Sequence, residues 1–511
     1  MLKLNRNQLK IGIIISYVTL FASIVCGFFI TPKVLNYVGS EYYGLLTFSS
    51  SITSWLTIIS AALSASYIRF ASIKEKEEGT DRRVTSLYKK AFALMSIILL
   101  TVFLVVIRFL SISGFTLQQY SETESNILYL LIIISGIQVC VTILLSVYNL
   151  YCNYKREFVF LRSVALVTSL LNFGLNLLLA FLTKSIIAVA ISSLILTVLS
   201  NVAIAIYAVK IKGMKTDRNI SFAENKTLVR SILIFSSFVV INAVINEING
   251  QMDKQILGVL VNGDAVTRYQ LAYSFTGYIA TMSVSVSSVF VPEMNRLVVN
   301  NKKQEIDELF LKVSKIQTII ILFVVFGFIC VGKQFVRIWV GKAISNCDEI
   351  YYYSCVLLLI NVIPNTMNLY IEVQRAMNKH KFRTFCFLGI AILNLIISVT
   401  LVKIFPTSRA IWGVIIGTGV SVLLGTIICM SIYNLKIIKL PIGKYYLAFL
   451  KILSFALASF SIQYLLSKFL LQNHIQSNLV MLLINGVFFV ITYSAFILIF
   501  ERKTIRALIK R

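Results

Sequence analysis

Apolar runs of about 20 residues follow one another along nearly the whole chain, and short polar segments separate them. The runs lack the strict alternation of apolar and polar residues that the strands of a membrane barrel show. A helix of about 20 apolar residues crosses the roughly 30 Å hydrocarbon layer of a bilayer. The pattern therefore predicts an all-α integral membrane protein with fourteen transmembrane helices. The predicted spans are approximately 11–31, 44–66, 91–112, 127–150, 159–182, 186–209, 229–251, 269–291, 317–336, 351–373, 384–404, 411–433, 447–467 and 479–500.

The seventh span carries polar residues at regular intervals. In "INAVINEINGQMDKQILG" (241–258), the residues Asn242, Asn246, Asn249 and Asp253 follow one another at steps of 4, 3 and 4. These steps place all four on one face of an α-helix. Glu247 lies about 100° from that face, and it is a candidate site for a coupling ion, either a proton or sodium.

The tenth span repeats this spacing. An amide in hydrocarbon is costly unless it is paired or hydrated, so two such rows indicate helices that face a water-filled interior. Amides of the fifth span could widen the same route, and hydrogen bonding between helices is the alternative role for every one of them. The additional candidate residues are Asn361, Asn365, Asn368 and Glu372 in span ten, and Asn172 and Asn176 in span five.

Cations lie near the ends of these polar rows. Arg69 closes the second span at its inner end, and Lys254 follows Asp253 at the outer end of the seventh. An arginine can bind an anionic group such as pyrophosphate through two parallel hydrogen bonds. Each of these cations could instead extend to lipid headgroups, and both interpretations remain open. Pro364 removes a backbone hydrogen bond inside span ten and could mark a hinge.

Composition supports the membrane assignment. Of the 511 residues, 58% are hydrophobic and only 14% are charged, whereas soluble proteins carry roughly a quarter charged residues. The net charge of +27 does not indicate nucleic-acid binding, because the basic residues are distributed over many short segments and form no single patch. Contact with anionic membrane lipids is expected instead.

The distribution of Lys and Arg predicts the orientation in the membrane. With the N-terminus inside, 37 of the 48 Lys and Arg residues fall in inside segments and 11 in outside segments. Since inside segments of membrane proteins are enriched in Lys and Arg, both termini are expected in the cytoplasm. The inside segments 67–90, 210–228 and 292–316 are expected to form short amphipathic helices on the membrane surface.

Signatures of catalysis are nearly absent from the sequence. It contains two histidines and no HExxH, P-loop or GxSxG motif, so we expect no enzymatic activity. The eight cysteines include no CxxC pair and are interpreted as free thiols, and no metal or cofactor is expected.

A weak internal repeat divides the chain. "YVGSEYYGLL" (37–46) is similar to "LVNGDAVTRYQL" (260–271), and "CNYKREF" (152–158) is similar to "AMNKHKF" (376–382). Both offsets are about 223–224 residues, which predicts two parallel six-helix units related by an axis along the membrane normal. We therefore expect two pseudo-symmetric six-helix lobes, at 1–209 and 210–433, followed by two C-terminal helices and a cytoplasmic tail at 434–511.

These features together resemble the polysaccharide-type flippases of the multidrug/oligosaccharidyl-lipid/polysaccharide exporter superfamily. The resemblance covers essentially the whole chain. It rests on the fourteen spans and on "VGSEYYGLLTF" (38–48), "SYIRFAS" (66–72), "MDKQILGVLVNGDAVTRYQLAY" (252–273), "VFVPEMNRL" (289–297) and "QRAMNKHKF" (374–382).

The resemblance implies two lobes that alternate between inward-open and outward-open states around a central cavity. The implied substrate is a polyprenyl-pyrophosphate-linked oligosaccharide, moved from the inner to the outer leaflet of a bacterial or archaeal cytoplasmic membrane for surface polysaccharide biosynthesis. Contacts with a polysaccharide polymerase and with glycosyltransferases are expected partnerships.

Two relatives in the superfamily and one enzyme class are the alternatives. Lipid II flippases carry Ser-Arg-x-x-Gly-x-x-Arg in span one, whereas the matching positions here are Ser23, Ile24, Gly27 and Ile30. Drug/cation antiporters often use an acidic residue in span one, and this span has none. A membrane-bound glycosyltransferase or polymerase would require a large outside loop with catalytic residues, whereas every predicted outside loop is short.

Overall fold

A computed structural model of the chain describes residues 6–73, 80–112, 119–217, 220–223, 225–379, 381–468 and 477–502. Within those ranges the regular secondary structure is entirely helical. The α-helices are α1 (Arg6–Val38), α2 (Ser40–Thr53), α3 (Thr57–Ile73), α4 (Thr80–Ile112), α5 (Glu122–Tyr154), α6 (Phe158–Thr183), α7 (Ile186–Ile206), α8 (Lys226–Leu260), α9 (Gly263–Val299), α10 (Lys303–Val340), α11 (Asp348–Thr366), α12 (Leu369–Ala376), α13 (Lys381–Ile404), α14 (Ala410–Val422), α15 (Met430–Tyr433), α16 (Ile442–Leu466) and α17 (Asn478–Phe500).

These helices supply fourteen segments that are long and apolar enough to cross a membrane, and each predicted span overlaps one of them. The prediction of an all-α protein with fourteen spans is therefore confirmed. Many helices extend past the predicted ends; α8, for example, continues to Leu260. An apolar window detects only the part of a helix within the hydrocarbon, whereas backbone hydrogen bonding continues into the headgroup region.

The prediction of separate surface helices is wrong for two inside segments. In 67–90, α3 runs to Ile73 and α4 begins at Thr80, and in 292–316 only a short turn separates α9 from α10. The apolar stripe expected on the membrane surface belongs to the first turns of α10, where Ile306, Phe310 and Val313 are buried against the protein. The stripe is helical as predicted, but its apolar side packs on other helices instead of lipid.

Three spans are interrupted helices. The second span contains the 3₁₀ turn Ser54–Leu56 between α2 and α3, and the tenth breaks between α11 and α12. In the second span serine hydroxyls donate to backbone carbonyls of the preceding turn, as in the bond from Ser51 to Phe48 O at 2.7 Å, and such bonds bend helices. In the tenth span the helix ends two residues after Pro364, which has no N–H to donate. The twelfth span contains the π-helical turns Leu423–Cys429 and Asn434–Ile438.

The chain packs as two compact units, Met1–Thr267 and Arg268–Arg511. In the first unit α1 packs on α6, α5 packs on α4 and α7, and α8 packs on α2 and α3. In the second unit α10 packs on α11, α16 and α17, and α13 packs on α14. The predicted lobes at 1–209 and 210–433 follow a sequence repeat, and they stay a prediction together with the C-terminal part at 434–511. The packing boundary lies elsewhere because α8 joins the first unit.

The C-terminal ends of the sixth and twelfth spans share an unusual local geometry. Each ends in a π-helical turn closed by a backbone hydrogen bond across six residues, from Met214 N to Ala208 O at 3.0 Å and from Leu440 N to Asn434 O at 2.9 Å. Beside each turn two aromatic rings stack, with centroids 3.7 Å apart for Phe160 and Tyr207 and 4.5 Å apart for Phe382 and Tyr433. The recurrence supports the predicted internal repeat.

Candidate functional site

The polar residues of α8 form an exposed row on the first unit. Asn242, Asn246 and Asn249 are all exposed, although each lies inside a predominantly apolar span. Among the described residues no group hydrogen-bonds to the side chains of Asn246 or Asn249. Since an amide in hydrocarbon requires a partner, this face of α8 is suited to water or to a polar ligand.

Beside this row α8 carries a buried cluster of ionisable residues. Asp253 and Lys254 are 7% and 8% exposed, and the Lys254 ammonium interacts electrostatically with the carboxylates of Glu247 and Asp253. Glu247 also accepts a hydrogen bond from the hydroxyl of Ser54 in the 3₁₀ turn of the second span. Glu247 and Lys254 are seven residues apart, which places them two turns apart on the same side of α8. Lys254 is therefore an internal counter-ion of the first unit.

The asparagines of the fifth span are used in bonds between helices. Asn176 Nδ2 donates to Asn172 Oδ1 at 2.6 Å, and Asn176 Oδ1 accepts from Ser192 Oγ of α7 at 2.8 Å. Ser193 Oγ of α7 also donates to Asn172 Oδ1 at 3.2 Å. These contacts favour the packing role for Asn172 and Asn176, because both amides already have polar partners on the neighbouring helix.

The predicted polar row of the tenth span is divided by the helix break. Asn361 and Asn365 lie on α11, and their amides donate to the carbonyls one turn earlier, at 2.9 and 2.8 Å. Asn365 is only 8% exposed. Asn368 lies at the break, and Glu372 on α12 forms an ion pair with Arg375 at 2.7 Å. The break after Pro364 thus interrupts the helical register of this row, and the water-facing role of its residues stays a prediction.

Arg69 lies on α3, but its side chain is outside the described residues. His380 and His474 are also outside the described ranges. Within the described part of the chain no three His, Cys, Asp or Glu residues are grouped closely enough to hold a metal ion.

Sequence reasoning missed Glu41, a carboxylate at the start of the second span. Its Oε1 accepts from Gly263 N at 2.6 Å and its Oε2 accepts from Asp264 N at 2.9 Å, at the first turn of α9. Asn262 Oδ1 accepts the next donor, Ala265 N, at 2.9 Å. The first N–H groups of a helix have no partner within the helix and carry partial positive charge, so a carboxylate is well placed there.

Close backbone packing reinforces this contact between the start of α2 and the start of α9. A side chain at Gly44 would place its Cβ 1.7 Å from Gly263 O, so neither helix could approach as closely with a larger residue. Thr267 Oγ1 donates to Ser40 O at 2.6 Å. We call Glu41, Gly44, Gly263 and Thr267 the outer latch, because the distribution of Lys and Arg predicts that this end of the spans lies outside. The segments that meet here are the two similar segments of the first internal repeat, which was the available sequence signal.

A second set of bonds holds the end of α8 next to the outer latch. Tyr120 donates its hydroxyl to Gly258 O at 2.8 Å, and Gln119 Nε2 donates to the same carbonyl at 3.2 Å. Gln255 Nε2 donates to Ser51 O in α2 at 2.7 Å. Gln255 thus ties α8 to α2, while Gln119 and Tyr120, which lie just before α5, hold the end of α8 through the Gly258 carbonyl.

Comparisons with known proteins agree with this fold. Residues 9–298, more than half of the chain, match the family described as polysaccharide biosynthesis protein. No curated protein matches the sequence. The structure is similar to that of the lipid II flippase MurJ in an inward-closed conformation, with a TM-score of 0.76 and 18% identity over 96% of this chain and 100% of that one.

Two structures of a multidrug resistance MATE family transporter of the MOP superfamily are also similar. The inward-facing one has a TM-score of 0.56 and 13% identity, covering 82% of this chain and 99% of that one. The outward-facing one has a TM-score of 0.50 and 16% identity, covering 83% and 94%. At these identities the likeness concerns the fold alone.

Proposed function

Because this chain belongs to the polysaccharide biosynthesis protein family, as a flippase of the MOP superfamily, we propose that its substrate is a polyprenyl-pyrophosphate-linked oligosaccharide. The protein would move this lipid from the inner to the outer leaflet of a bacterial or archaeal cytoplasmic membrane for surface polysaccharide biosynthesis. The observation that carries the proposal is the row of exposed amides on α8, Asn242, Asn246 and Asn249.

The chemistry of this row suits a saccharide. Each asparagine offers two N–H donors and a carbonyl acceptor, which match the hydroxyl groups of a sugar. An interior lined with amides can exchange bound water for sugar hydroxyls at little cost, so it can carry a large polar headgroup without holding it tightly. The hydrocarbon tail can meanwhile remain in the lipid, as the hydrophobic effect requires.

Glu247 is proposed as the site of the coupling ion. It lies beside the amide row. Its carboxylate accepts a hydrogen bond from the hydroxyl of Ser54 and interacts electrostatically with the ammonium of Lys254. Ionisable residues inside membranes commonly mark ion pathways and proton relays. An ion bound at Glu247, either a proton or sodium, would weaken the attraction of this carboxylate to the Lys254 ammonium, which would couple ion binding to the packing of α8 on the second span.

Lipid II transport and drug/cation antiport are the alternatives within the superfamily. The first span carries Ile24 and Ile30 where the lipid II flippases carry arginines, and it has no acidic residue of the kind that antiporters often use. These differences support the polysaccharide substrate over both alternatives.

Reconstitution with defined substrates tests the proposal. Purified protein in proteoliposomes should transfer a fluorescent polyprenyl-pyrophosphate-linked oligosaccharide between leaflets, and it should leave lipid II and a cationic dye untransported. Asn246→Leu together with Asn249→Leu should lower the rate about ten- to a hundredfold, since each removed hydrogen bond contributes roughly 0.5–1.5 kcal/mol. Equal transport of lipid II would reject the proposed substrate.

Arg69 is proposed to hold the pyrophosphate at the inner end of the second span. Lys lacks the planar fork of Arg, so Arg69→Lys should weaken transport and Arg69→Ala should nearly abolish it at normal protein abundance. Loss of one charge-assisted contact corresponds to roughly 1.5–3 kcal/mol, or about ten- to a hundredfold in affinity. Lys436→Ala, at an exposed position, is the matched control. Normal surface polysaccharide display by Arg69→Ala in a flippase-null host would assign Arg69 to headgroup anchoring.

A further inference from the structure

The first unit contains an apolar groove of about 390 Å³ between α3, α4 and α8, and Phe222 is among its lining residues. Buried side chains form its floor, and exposed side chains form its edges. Leu63, Leu87 and Tyr88 are on the floor, whereas Leu94, Ile98 and Leu233 are 45%, 55% and 60% exposed. The hydroxyl of Tyr88 donates to Ser66 Oγ at 2.7 Å, so the polar end of this side chain is already hydrogen-bonded and its apolar ring lines the groove. The groove is therefore suited to hydrocarbon.

Basic residues mark one end of this groove. On α4, Arg83 and Lys90 lie on the same helical face as Leu87, Leu94 and Ile98, and they precede the last two along the helix. On α8, Lys226 lies one turn before Val229, which lines the groove. Arg83, Lys90 and Lys226 are exposed. The groove thus runs from a cationic end to an apolar end.

Lys90 is fixed at the cationic end by two contacts. Its Nζ donates to Ile220 O at 3.1 Å and lies 5.5 Å from the ring centroid of Phe222, which itself lines the groove. Its ammonium retains two further N–H donors for an anionic ligand. Asp217 is held nearby through a 2.7 Å bond from its backbone N–H to Ser86 Oγ, so the rim also carries an acidic residue.

We propose that this groove binds the isoprenoid chain of the lipid-linked substrate, with the phosphate groups at Arg83, Lys90 and Lys226. The inference rests on the proposed function. The charge gradient matches an anionic head on a hydrocarbon tail. A volume of about 390 Å³ lies at the lower end of the range for small-ligand sites, roughly 300–1,000 Å³, and it suits one chain better than the two chains of a phospholipid. The rings of Tyr88 and Phe222 provide rigid contact surface for the chain.

Photolabelling of the full-length protein in nanodiscs tests the proposal. The probes are a polyprenyl phosphate and a phosphatidylglycerol, each with a diazirine in the hydrocarbon chain, and labelled peptides are mapped by mass spectrometry. The polyprenyl probe should label the groove segments of α4 and α8, and unlabelled polyprenyl phosphate should compete while excess phosphatidylglycerol should not. Equal labelling by the phosphatidylglycerol probe would mean ordinary lipid contact and would overturn the proposal.

A variant that fills the groove and a matched control test whether the labelling is specific to this site. Ala91→Trp places an indole in the groove and should lower polyprenyl labelling about tenfold, which corresponds to excluding about two CH₂ groups from contact. Ile97→Trp on the same helix, where the native side chain is 60% exposed and does not line the groove, should leave labelling unchanged. Lys226→Gln should weaken labelling and reduce its dependence on salt. Unchanged labelling in Ala91→Trp would also overturn the proposal.

Labelling of the groove and transport of the lipid-linked oligosaccharide are separate measurements, and each can fail without the other. If wild-type protein transports the lipid-linked oligosaccharide but the groove is not labelled, only the groove assignment is wrong. If the groove is labelled by polyprenyl phosphate but no oligosaccharide is transported, the groove binds the chain and the proposed transport is wrong.

Discussion

A single carboxylate, Glu41, joins two spans that are more than 220 residues apart in sequence. The first N–H groups of α9 have no acceptor within the helix, and the carboxylate of Glu41 accepts their hydrogen bonds. Its negative charge is also favourable at this end of a helix, which carries partial positive charge. Because its partners are backbone N–H groups, no side chain on α9 needs to adopt a particular rotamer. The contact therefore depends on the position of the α9 backbone and not on the conformation of an α9 side chain.

We predict that Glu41→Ala destabilises the protein and opens the outer latch. Removing a charged acceptor from two backbone N–H groups should cost about 1.5–3 kcal/mol, whereas Glu41→Gln should cost less because it retains one acceptor oxygen. The measurements are thermal unfolding in detergent and the reactivity of Thr267→Cys toward a membrane-impermeant thiol reagent. Glu122→Gln, at an exposed position in the first turn of α5, should change neither.

A substitution at Asn176 distinguishes a role in helix packing from a role in lining a cavity. Its contacts with Asn172 and Ser192 predict that Asn176→Leu lowers the melting temperature, by an amount that corresponds to about 0.6–1.7 kcal/mol for a hydrogen bond in a membrane protein. The KM for the lipid-linked substrate should not change. Val167→Leu, on the lipid-exposed side of α6, is the control. An unaltered melting temperature with impaired substrate binding would restore the cavity role.

At this scale the sequence shows which residues are unusual but seldom which partners they have. Steps of 4 and 3 placed Asn242, Asn246 and Asn249 on one face of α8, and the structure exposes all three. The same reasoning could not show that Asn172 and Asn176 face the serines of α7, since that depends on how two helices pack. The role of Glu41 could not be predicted because its partners are backbone N–H groups. Nearly every residue has such a group, so the sequence does not show which of them bind a carboxylate.

Among the elements, α8 has the most distinct division of faces. One side carries the exposed amide row, and another packs on α2 and α3 through Glu247 and Gln255. A helix with both a polar exposed face and a fixed packing face can line a hydrated interior without losing its place in the unit.

Cysteine scanning of α8 should reproduce this division. Cysteine at Asn246 or Asn249 should react with a water-soluble thiol reagent in membranes, whereas cysteine at Val244 should react far more slowly. Asn365→Cys on α11 should also react slowly, because that position is 8% exposed in this structure. Equal reactivity at Asn246 and Val244 would remove the argument for a hydrated face.

The transmembrane helices were predicted more completely than the breaks and π-helical turns within them. Apolar length located all fourteen spans, because the hydrocarbon thickness imposes a minimum that few other segments of the chain reach. Pro364 marked the break in the tenth span, since a missing N–H is visible in the sequence. The π-helical turn Leu423–Cys429 contains no proline, and its position depends on the packing of neighbouring helices.

For the molecule as a whole, the repeat connects the local observations. Its two related segments, 37–46 and 260–271, meet in the outer latch, and matching π-helical turns end the sixth and twelfth spans. A latch built from repeat-related segments contributes one element from each copy of the repeat. All of these contacts lie within the first packing unit, Met1–Thr267, so they hold the start of α9 to that unit.

The orientation of the whole molecule is the last prediction, and it follows from the placement of 37 of the 48 Lys and Arg residues in segments expected inside. Asn301 lies in the exposed turn between α9 and α10, and Ser345 lies in the exposed turn between α10 and α11, so one helix separates them. In a Cys347→Ser background, in which the native thiol beside the outside position is removed, Ser345→Cys should be labelled by an impermeant maleimide added to intact cells. Burial raises the pKa of the native Cys347 thiol, so a control protein that keeps Cys347 should be labelled slowly at that position. Asn301→Cys should be labelled only after the cells are permeabilised. Strong labelling of Asn301→Cys in intact cells would invert the topology and place the outer latch on the cytoplasmic side.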